Sequence, residues 1–197
     1  MKLIGVTGGI GTGKSTVCKI VEAMGFPVYY SDLRAKFLQE NNLEIIRETK
    51  ALLGSNAYID GKLNRPFIAA QVFKNEALRA QLNAIVHPRV KADFEFWLSQ
   101  QASPCVFQES ALIYEIKRQD MYDRVILVTA PEELRIQRVV SRDKTSESEV
   151  KARIQAQMSD EEKRKFNPFE IINDESQSVI KQLLTFLADQ GCYSTSS

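Results

Sequence analysis

The chain has 197 residues, and its 26 Lys and Arg against 25 Asp and Glu give a formal net charge of +1. This length predicts one α/β domain with inserted pieces, and the balanced charge argues against nucleic acid as a partner. No apolar run approaches the roughly 20 residues that cross a membrane, and the N-terminus enters a strand directly, without a signal peptide. Cys18, Cys105 and Cys192 lack C-x-x-C spacing, which predicts reduced thiols in a cytoplasmic protein.

The first predicted strand leads into a phosphate-binding motif. An apolar run over residues 3–7 precedes Gly8-Gly9-Ile10-Gly11-Thr12-Gly13-Lys14-Ser15, which matches G-x-x-x-x-G-K-[ST]. A helix is predicted over 14–24, ending at Gly25. We expect the backbone N–H groups of residues 9–15 to converge on phosphate oxygens, with the helix dipole adding positive potential. The pattern predicts a nucleoside triphosphate site.

Side chains of the loop have separate predicted roles. Lys14 supplies a cation for the β- and γ-phosphates of ATP, and Ser15 supplies a hydroxyl ligand for Mg²⁺. Glycines let the backbone approach the phosphates closely. The predicted nucleotide-binding residues of the loop are Gly9, Gly11, Thr12, Gly13, Lys14, Ser15 and Thr16.

Four more strands are predicted, at 27–30, 105–109, 124–129 and 169–172. Helical segments separate them, so the pattern predicts a P-loop NTPase-type α/β fold, a parallel sheet flanked by helices. The nucleotide core would comprise residues 1–32, 100–134 and 166–197.

Two insertions interrupt this core. Apolar periodicity in residues 33–99 predicts an almost wholly helical subdomain. The predicted helical stretches are 33–40, 43–53, 66–73, 76–86 and 88–99, and the predicted breaks are Asp60-Gly61, Pro66 and Pro88. Residues 135–165 have an excess of Lys and Arg, and two S-x-x-E capping boxes, at 146–149 and 159–162, predict two helix starts. A basic helical insertion here predicts a lid that closes over phosphates.

Several polar residues outside the loop could take part in chemistry. Asp32 follows the second strand and could orient an attacking hydroxyl or accept its proton; alternatively, Ser31 and Asp32 only cap the next helix. Arg138 and Arg142 share a helix face and could neutralise phosphate oxygens in the transition state, or form a solvated face.

Two residues carry weaker predictions. Glu109, at the end of the third strand, could hold a water ligand of Mg²⁺ or be a solvated strand end. His87, the only histidine, precedes Pro88, and we interpret it as a packing or capping residue rather than a base.

Taken together, these residues resemble the dephospho-coenzyme A kinase family over positions 3–174. Beyond the phosphate loop, similar blocks are Val28 to Lys36, Leu82-Asn83-Ala84-Ile85-Val86-His87-Pro88, Leu112-Ile113-Tyr114-Glu115, Arg138 to Asp143, and Ile171-Ile172-Asn173-Asp174. The resemblance implies ATP-dependent phosphorylation of the ribose 3′-hydroxyl of dephospho-coenzyme A, giving coenzyme A and ADP.

The same resemblance implies roles for particular residues. The helical subdomain would hold dephospho-coenzyme A, Asp32 would face the 3′-hydroxyl, and Asn173 would lie beside the adenine. The chain departs from the family pattern at Tyr30, Lys36 and Ala111. Tyr30 removes a second carboxylate, so Asp32 is the sole acid of its segment, and Lys36 cannot form the bidentate contacts of an arginine.

Two other functions compete with this one. Another small-molecule kinase of the same fold, acting on a nucleotide, shikimate or a sugar acid, would share the loop but has no need of the L-N-x-x-x-H-P block. A nucleotide-dependent switch would carry N-K-x-D and D-x-x-G strings, and neither occurs in the sequence.

Overall fold

The structure, a computed structural model, describes residues 1–73 and 75–192. It divides into two compact units, one formed by Met1–Tyr29 and the chain from Gln101 onward, the other by Tyr30–Gln100. None of the helices in the described ranges is long and apolar enough to cross a membrane.

Seven strands and nine helices are assigned within the described residues. The strands are β1 (Lys2–Thr7), β2 (Val28–Tyr30), β3 (Tyr58–Ile59), β4 (Lys62–Leu63), β5 (Cys105–Glu109), β6 (Arg124–Thr129) and β7 (Phe169–Ile172). The helices are α1 (Lys14–Ala23), α2 (Ser31–Asn41), α3 (Leu43–Leu53), α4 (Arg65–Phe73), α5 (Glu76–Ser99), α6 (Glu132–Asp143), α7 (Glu147–Gln155), α8 (Asp160–Arg164) and α9 (Val179–Asp189).

The first unit is built on a five-stranded sheet in the order β2-β5-β1-β6-β7. β1 pairs in parallel with β5 and β6, and β6 pairs in parallel with β7. The central strands are almost wholly buried, as apolar strands covered by helices on both faces should be. This confirms the predicted α/β fold, and it brings the carboxyl ends of β1, β5 and β6 to one edge, where β1 enters the phosphate loop.

The second unit is mostly helical, as predicted, but differs from the prediction in two places. Asp60 and Gly61, both with positive φ, form the turn of a two-stranded antiparallel hairpin, β3–β4, which the Asp-Gly dipeptide signals. Helix α5 continues through Pro88 instead of breaking there. Proline removes one hydrogen bond from the helix, but Val86 and Phe94 are buried on either side, and their packing offsets that loss.

The expectation of three reduced thiols is wrong for two of them. Cys105 and Cys192 form a disulfide, with Cα atoms 5.9 Å apart. The fold brings them together because Lys2 pairs with Cys105 across β1 and β5 and donates its Nζ to the Gln190 carbonyl at 2.8 Å. Cys18 is a free, buried thiol.

Of the two predicted capping boxes, one is complete. Ser159 and Glu162 bond reciprocally at the start of α8. At the start of α7, Ser146 accepts from the Glu149 N–H at 3.3 Å, but the Glu149 carboxylate binds the Thr145 hydroxyl instead of returning to the helix end. Both helices nevertheless begin where the sequence places them.

Candidate functional site: the phosphate loop and its supports

The phosphate loop connects β1 to α1 in the first unit. Gly13 is the N-cap of α1 and has no side chain to bond the first-turn N–H groups, which leaves that helix end open to an anion. Lys14 lies at the first position of the helix, and its Nζ donates to the carbonyls of Gly8 at 2.8 Å and Gly9 at 3.1 Å. Ser15 and Thr16 are exposed beside it.

Side chains and backbone from other elements close in on the glycines of the loop. A Cβ on Gly13 would collide with the Asn173 amide nitrogen, and Gly13 has φ +94°. A Cβ on Gly11 would lie 2.6 Å from the carbonyl oxygen of Arg135. A Cβ on Gly9 would lie 2.8 Å from Cζ of the same arginine. Close approach therefore adds to the positive φ in favouring glycine at Gly11 and Gly13, and a Cβ at Gly9 would displace the Arg135 guanidinium.

Two residues that the sequence reasoning missed hold the tip of the loop. Arg135, on α6 and only 8% exposed, donates its Nε to the Ile10 carbonyl at 2.9 Å. Gln157, between α7 and α8, accepts the Ile10 N–H at 2.8 Å. The N–H of Ile10 is thus directed to Gln157, which corrects the expectation that all N–H groups of residues 9–15 face phosphate.

The sequence does contain a signal for Arg135. It shares one face of α6 with Val139, four residues later, and Ile136 follows it directly; these are the buried residues of that helix. A charge on an apolar face indicates a buried partner. Gln157 offers no comparable signal, because its contact joins positions 147 residues apart.

Glu109 lies beside the loop's entry strand. It pairs with Val6 across β5 and β1, is 8% exposed, and the next residue donates its N–H to the Val6 carbonyl at 3.0 Å. Burial raises the pKa of the Cys18 thiol on α1, and the negative charges of Glu109 and Glu22 raise it further. Glu109 is thus a nearly buried carboxylate at the phosphate-loop edge. The alternative prediction, that Glu109 is a solvated strand end, is excluded.

Arg138 and Asn173 meet on the other side of the loop. Asn173 follows β7 and donates its Nδ2 to the Thr12 carbonyl at 2.8 Å. Arg138 donates to the Asn173 carbonyl at 3.2 Å and lies 3.3 Å from Glu175. The structure therefore joins these two predicted residues to each other and to the phosphate loop.

Arg142 lies elsewhere. Within the described part of the chain, its side-chain contacts are with the adjacent Asp143, which accepts two hydrogen bonds at 2.7 and 3.0 Å. Hydrogen bonding to Arg142 lowers the pKa of Asp143. The Arg142 side chain is 63% exposed, so in this conformation it belongs to the solvated face that the sequence reasoning kept as an alternative.

The other end of the lid segment is tied to the turn after β5. Tyr114 stacks on Phe166 with ring centroids 4.7 Å apart. Lys163 on α8 is fully buried, with its Nζ 3.1 Å from a Glu115 carboxylate oxygen. These contacts account in structural terms for Tyr114 and Glu115 of the Leu112-to-Glu115 block.

Asp32 and His87 belong to the second unit. Asp32 is exposed in the first turn of α2, whose N-cap is Tyr30, without a side-chain capping bond. The N-cap position is therefore neither Ser31 nor Asp32, and Asp32 lies where a carboxylate interacts favourably with the helix dipole. His87 is exposed in the interior of α5, since the predicted helix junction there does not exist.

The second unit also contains a mainly apolar groove. Its volume is about 240 Å³. The residues that line it are Lys36 and Gln39 from α2, and Leu63, Arg65, Ile68 and Ala69 from the β4–α4 region. Arg65 at this groove lies 2.9 Å from Glu40.

Known proteins resemble this chain in sequence and in structure over nearly its whole length. The chain is 41% identical over 186 residues to the dephospho-CoA kinase of Bacteroides fragilis, covering 94% of this chain and 91% of the relative. A crystal structure of a Thermus thermophilus protein matches with TM-score 0.88 at 35% identity, covering 96% of this chain and 97% of the other. The dephospho-CoA kinase of Campylobacter jejuni matches with TM-score 0.67 at 28% identity over 95% and 96% of the two chains.

The family model described as dephospho-CoA kinase matches residues 2–178, which include the phosphate loop, the helical unit and Asn173. A kinase family implies ATP as co-substrate. The chain therefore belongs to the dephospho-CoA kinase family.

Proposed function

We propose that this protein transfers the γ-phosphoryl group of ATP to the ribose 3′-hydroxyl of dephospho-coenzyme A, giving coenzyme A and ADP. The observation that carries the proposal is the phosphate loop, with Lys14 held at the N-terminus of α1, in a chain matching that family over residues 2–178. The 3′-oxygen bonds to the γ-phosphorus, the bond from this phosphorus to the bridging oxygen of ADP breaks, and the hydroxyl proton passes to Asp32.

The residues of the first unit act on the nucleotide. Lys14 exchanges its bonds to the loop carbonyls for the β- and γ-phosphate oxygens, where its charge offsets the charge that develops during transfer. Arg138 is linked to the loop through Asn173, which bonds the Thr12 carbonyl, and Asn173 would lie beside the adenine. Arg142 acts after its release from Asp143, when the segment 135–165 closes as a lid.

The oxygen donors at this edge fit Mg²⁺. Ser15 offers an exposed hydroxyl in the first turn of α1, and Glu109 offers a nearly buried carboxylate at the end of β5. Hydroxyl and carboxylate oxygens, completed by water and phosphate, are the ligands that Mg²⁺ prefers. The ion would be held by Ser15, with Glu109 through water, and it supplies charge that neutralises the phosphate oxygens.

The second unit would bind the acceptor. Its groove combines an apolar lining with two cationic side chains, Lys36 and Arg65. This combination suits a molecule with both an uncharged arm and phosphate groups, as dephospho-coenzyme A has. Asp32 is in the same unit, and its exposed carboxylate is available to the 3′-hydroxyl. We place the reaction in the cytoplasm, with no nucleic acid or membrane as a partner.

A phosphoryl-transfer assay tests the proposal. Purified protein is incubated with ATP, Mg²⁺ and, in separate reactions, dephospho-coenzyme A, adenosine monophosphate, shikimate or gluconate. We expect rapid ADP formation only with dephospho-coenzyme A, and mass spectrometry should place the new phosphate on the 3′-oxygen. Turnover with another acceptor, or slow ATP hydrolysis independent of acceptor, contradicts the proposal.

A further inference from the structure

A buried charge lies directly behind the phosphate loop. The Arg135 side chain is 9% exposed, and its Nη1 lies 3.6 Å from Asp160 at the start of α8, whose side chain is 17% exposed. Removing a guanidinium from water is costly unless its donors are engaged. An apolar side chain could pack here without that cost, but it could not donate to the Ile10 carbonyl, so the buried charge indicates a polar role at the loop.

The contacts of Arg135 are concentrated on three consecutive residues of the loop. Its guanidinium lies against Gly9, its Nε donates to the Ile10 carbonyl, and its main chain lies against Gly11. Gln157 holds the N–H of the same Ile10. The peptide groups around Ile10 are therefore fixed from both sides by the α6 and α7–α8 segments.

An anion in the loop would lie near this guanidinium. The N–H groups of the loop point at phosphate oxygens only when the peptides before and after Ile10 have the right orientation, and Arg135 holds those peptides. Its positive charge is offset only in part, since an ion pair at 3.6 Å is longer than a direct hydrogen bond. In the water-poor interior such a charge acts over several ångströms.

We propose that Arg135 is a positioning residue for nucleotide binding, which fixes the loop around Ile10 and adds positive potential behind the phosphates, and that Asp160 tunes this potential. The inference rests on the proposed function only in requiring that nucleotide phosphates bind in the loop. Arg135 acts by holding the loop and by its charge, and not by contact with the nucleotide.

Substitutions at Arg135 separate geometry from charge. Arg135→Lys keeps the charge but cannot both bond Ile10 and reach Asp160. Arg135→Gln removes the charge as well. We expect the calorimetric Kd for ADP to rise about tenfold in Arg135→Lys and about a hundredfold in Arg135→Gln. The KM for ATP should rise in the same order, while the KM for the acceptor stays within about twofold.

Asp160→Asn supplies the opposite charge change. It leaves Arg135 in place without its counter-ion, and we expect ADP to bind about threefold tighter than in the unmodified protein. Arg124→Gln, an exposed arginine at the start of β6, is the matched charge control and should leave the Kd unchanged. Each variant is measured well below its own Tm, so that unfolded protein does not affect the measured Kd.

The outcomes are distinct. The inference is overturned if folded Arg135→Lys and Arg135→Gln bind ADP with wild-type affinity. It is also overturned if Arg135→Gln and Asp160→Asn weaken ADP binding equally, because a purely structural ion pair is lost to the same extent whichever partner is replaced. If Arg135→Gln does not fold, the opposite signs expected for Arg135→Lys and Asp160→Asn decide. Failure of the unmodified protein to phosphorylate dephospho-coenzyme A while it binds ADP would refute the proposed function alone.

Discussion

The glycines of the phosphate loop differ from those of the helical unit in what surrounds them. In the phosphate loop, a Cβ on Gly9, Gly11 or Gly13 would lie within 3 Å of side-chain or backbone atoms from α6 or the end of β7. In the helical unit, Gly54 and Gly61 have similar positive φ values of +87° and +77°, but a Cβ there would meet nothing within 4 Å. The first set is enclosed by protein that approaches the backbone, whereas the second set only turns the chain.

This difference separates two ways of building a binding surface. The loop is a backbone site held by polar contacts from Arg135, Gln157 and Asn173. The helical unit instead holds its helices around an apolar cluster that includes Ile45, Tyr58 and Leu82, and its groove is lined by side chains. Substitutions in the loop should therefore act on the nucleotide, and substitutions in the helical unit on the acceptor.

The largest expected effect is that of Lys14→Ala. The variant loses the cation that offsets charge on the transferred group, and we expect kcat to fall by about a thousandfold or more, corresponding to several kcal/mol. Steady-state kinetics with dephospho-coenzyme A measures the loss. Lys19→Ala removes an exposed lysine from the same helix and should keep kcat within about twofold. Near-normal turnover of Lys14→Ala would show that the loop is not the catalytic phosphate site.

Asp32→Asn tests the acceptor side of the comparison. Asn cannot accept the hydroxyl proton, so kcat should fall about a hundredfold, the scale of general-base loss, while the Kd of ATP stays unchanged. Glu76→Gln is the control, since Glu76 is also an acid in the first turn of a helix of the same unit. A melting curve accompanies the kinetics. If turnover survives and only the melting temperature falls, Asp32 serves the helix dipole and not the chemistry.

A pair of glycine substitutions compares the two units directly. Gly13→Ala and Gly54→Ala both place a Cβ at positive φ, which costs about 1–2 kcal/mol in the left-handed conformation of Gly13 and about 1–3 kcal/mol in the more extended conformation of Gly54. Only Gly13→Ala also displaces Asn173, so we expect its Kd for ADP to rise about tenfold and that of Gly54→Ala to stay unchanged. Calorimetry and thermal unfolding measure both variants. Equal ADP affinities would mean that enclosure of the loop does not matter for binding.

The same contrast explains what the sequence could predict. The phosphate loop and its flanking strand and helix are one contiguous motif, so β1, α1 and the placement of Lys14 follow from local pattern. The Asp60-Gly61 turn had an equally local signal, and the small hairpin was missed because helical periodicity dominated the segment around it.

Residues that act across the fold were harder to predict. Arg135 lies 125 positions from Ile10, and Cys105 lies 87 positions from Cys192, so neither pairing is visible before strands and helices are packed. Pro88 shows tertiary packing overriding a local rule, because buried residues on both sides keep α5 continuous. Arg142 was placed by its motif, but its partner in this conformation is its own neighbour, Asp143.

The smallest expected effect concerns an ion pair of the first unit beyond the loop. Glu170 on β7 accepts two hydrogen bonds from Arg164, at 2.7 and 3.0 Å, and one from the Thr129 hydroxyl at 2.8 Å. Bonding to Arg164, and then to Thr129, lowers the pKa of Glu170 below its ordinary value. Between the lowered folded value and the unfolded value of about 4.3, the unfolded chain binds more protons, so stability rises with pH across that interval.

Glu170→Gln removes this titration. The stabilisation from the carboxylate is fully present above about pH 4.3 and is lost as the pH falls through the lowered pKa, so wild type and variant should differ at neutral pH and converge in acid. The difference should be no more than about 1 kcal/mol, because Arg164 is half exposed. Urea unfolding from pH 7 to pH 3 measures it, with the exposed Glu161→Gln as a control that should run parallel to wild type. Parallel curves for Glu170→Gln as well would show that the Arg164–Glu170 pair does not contribute to stability, despite the three hydrogen bonds to Glu170.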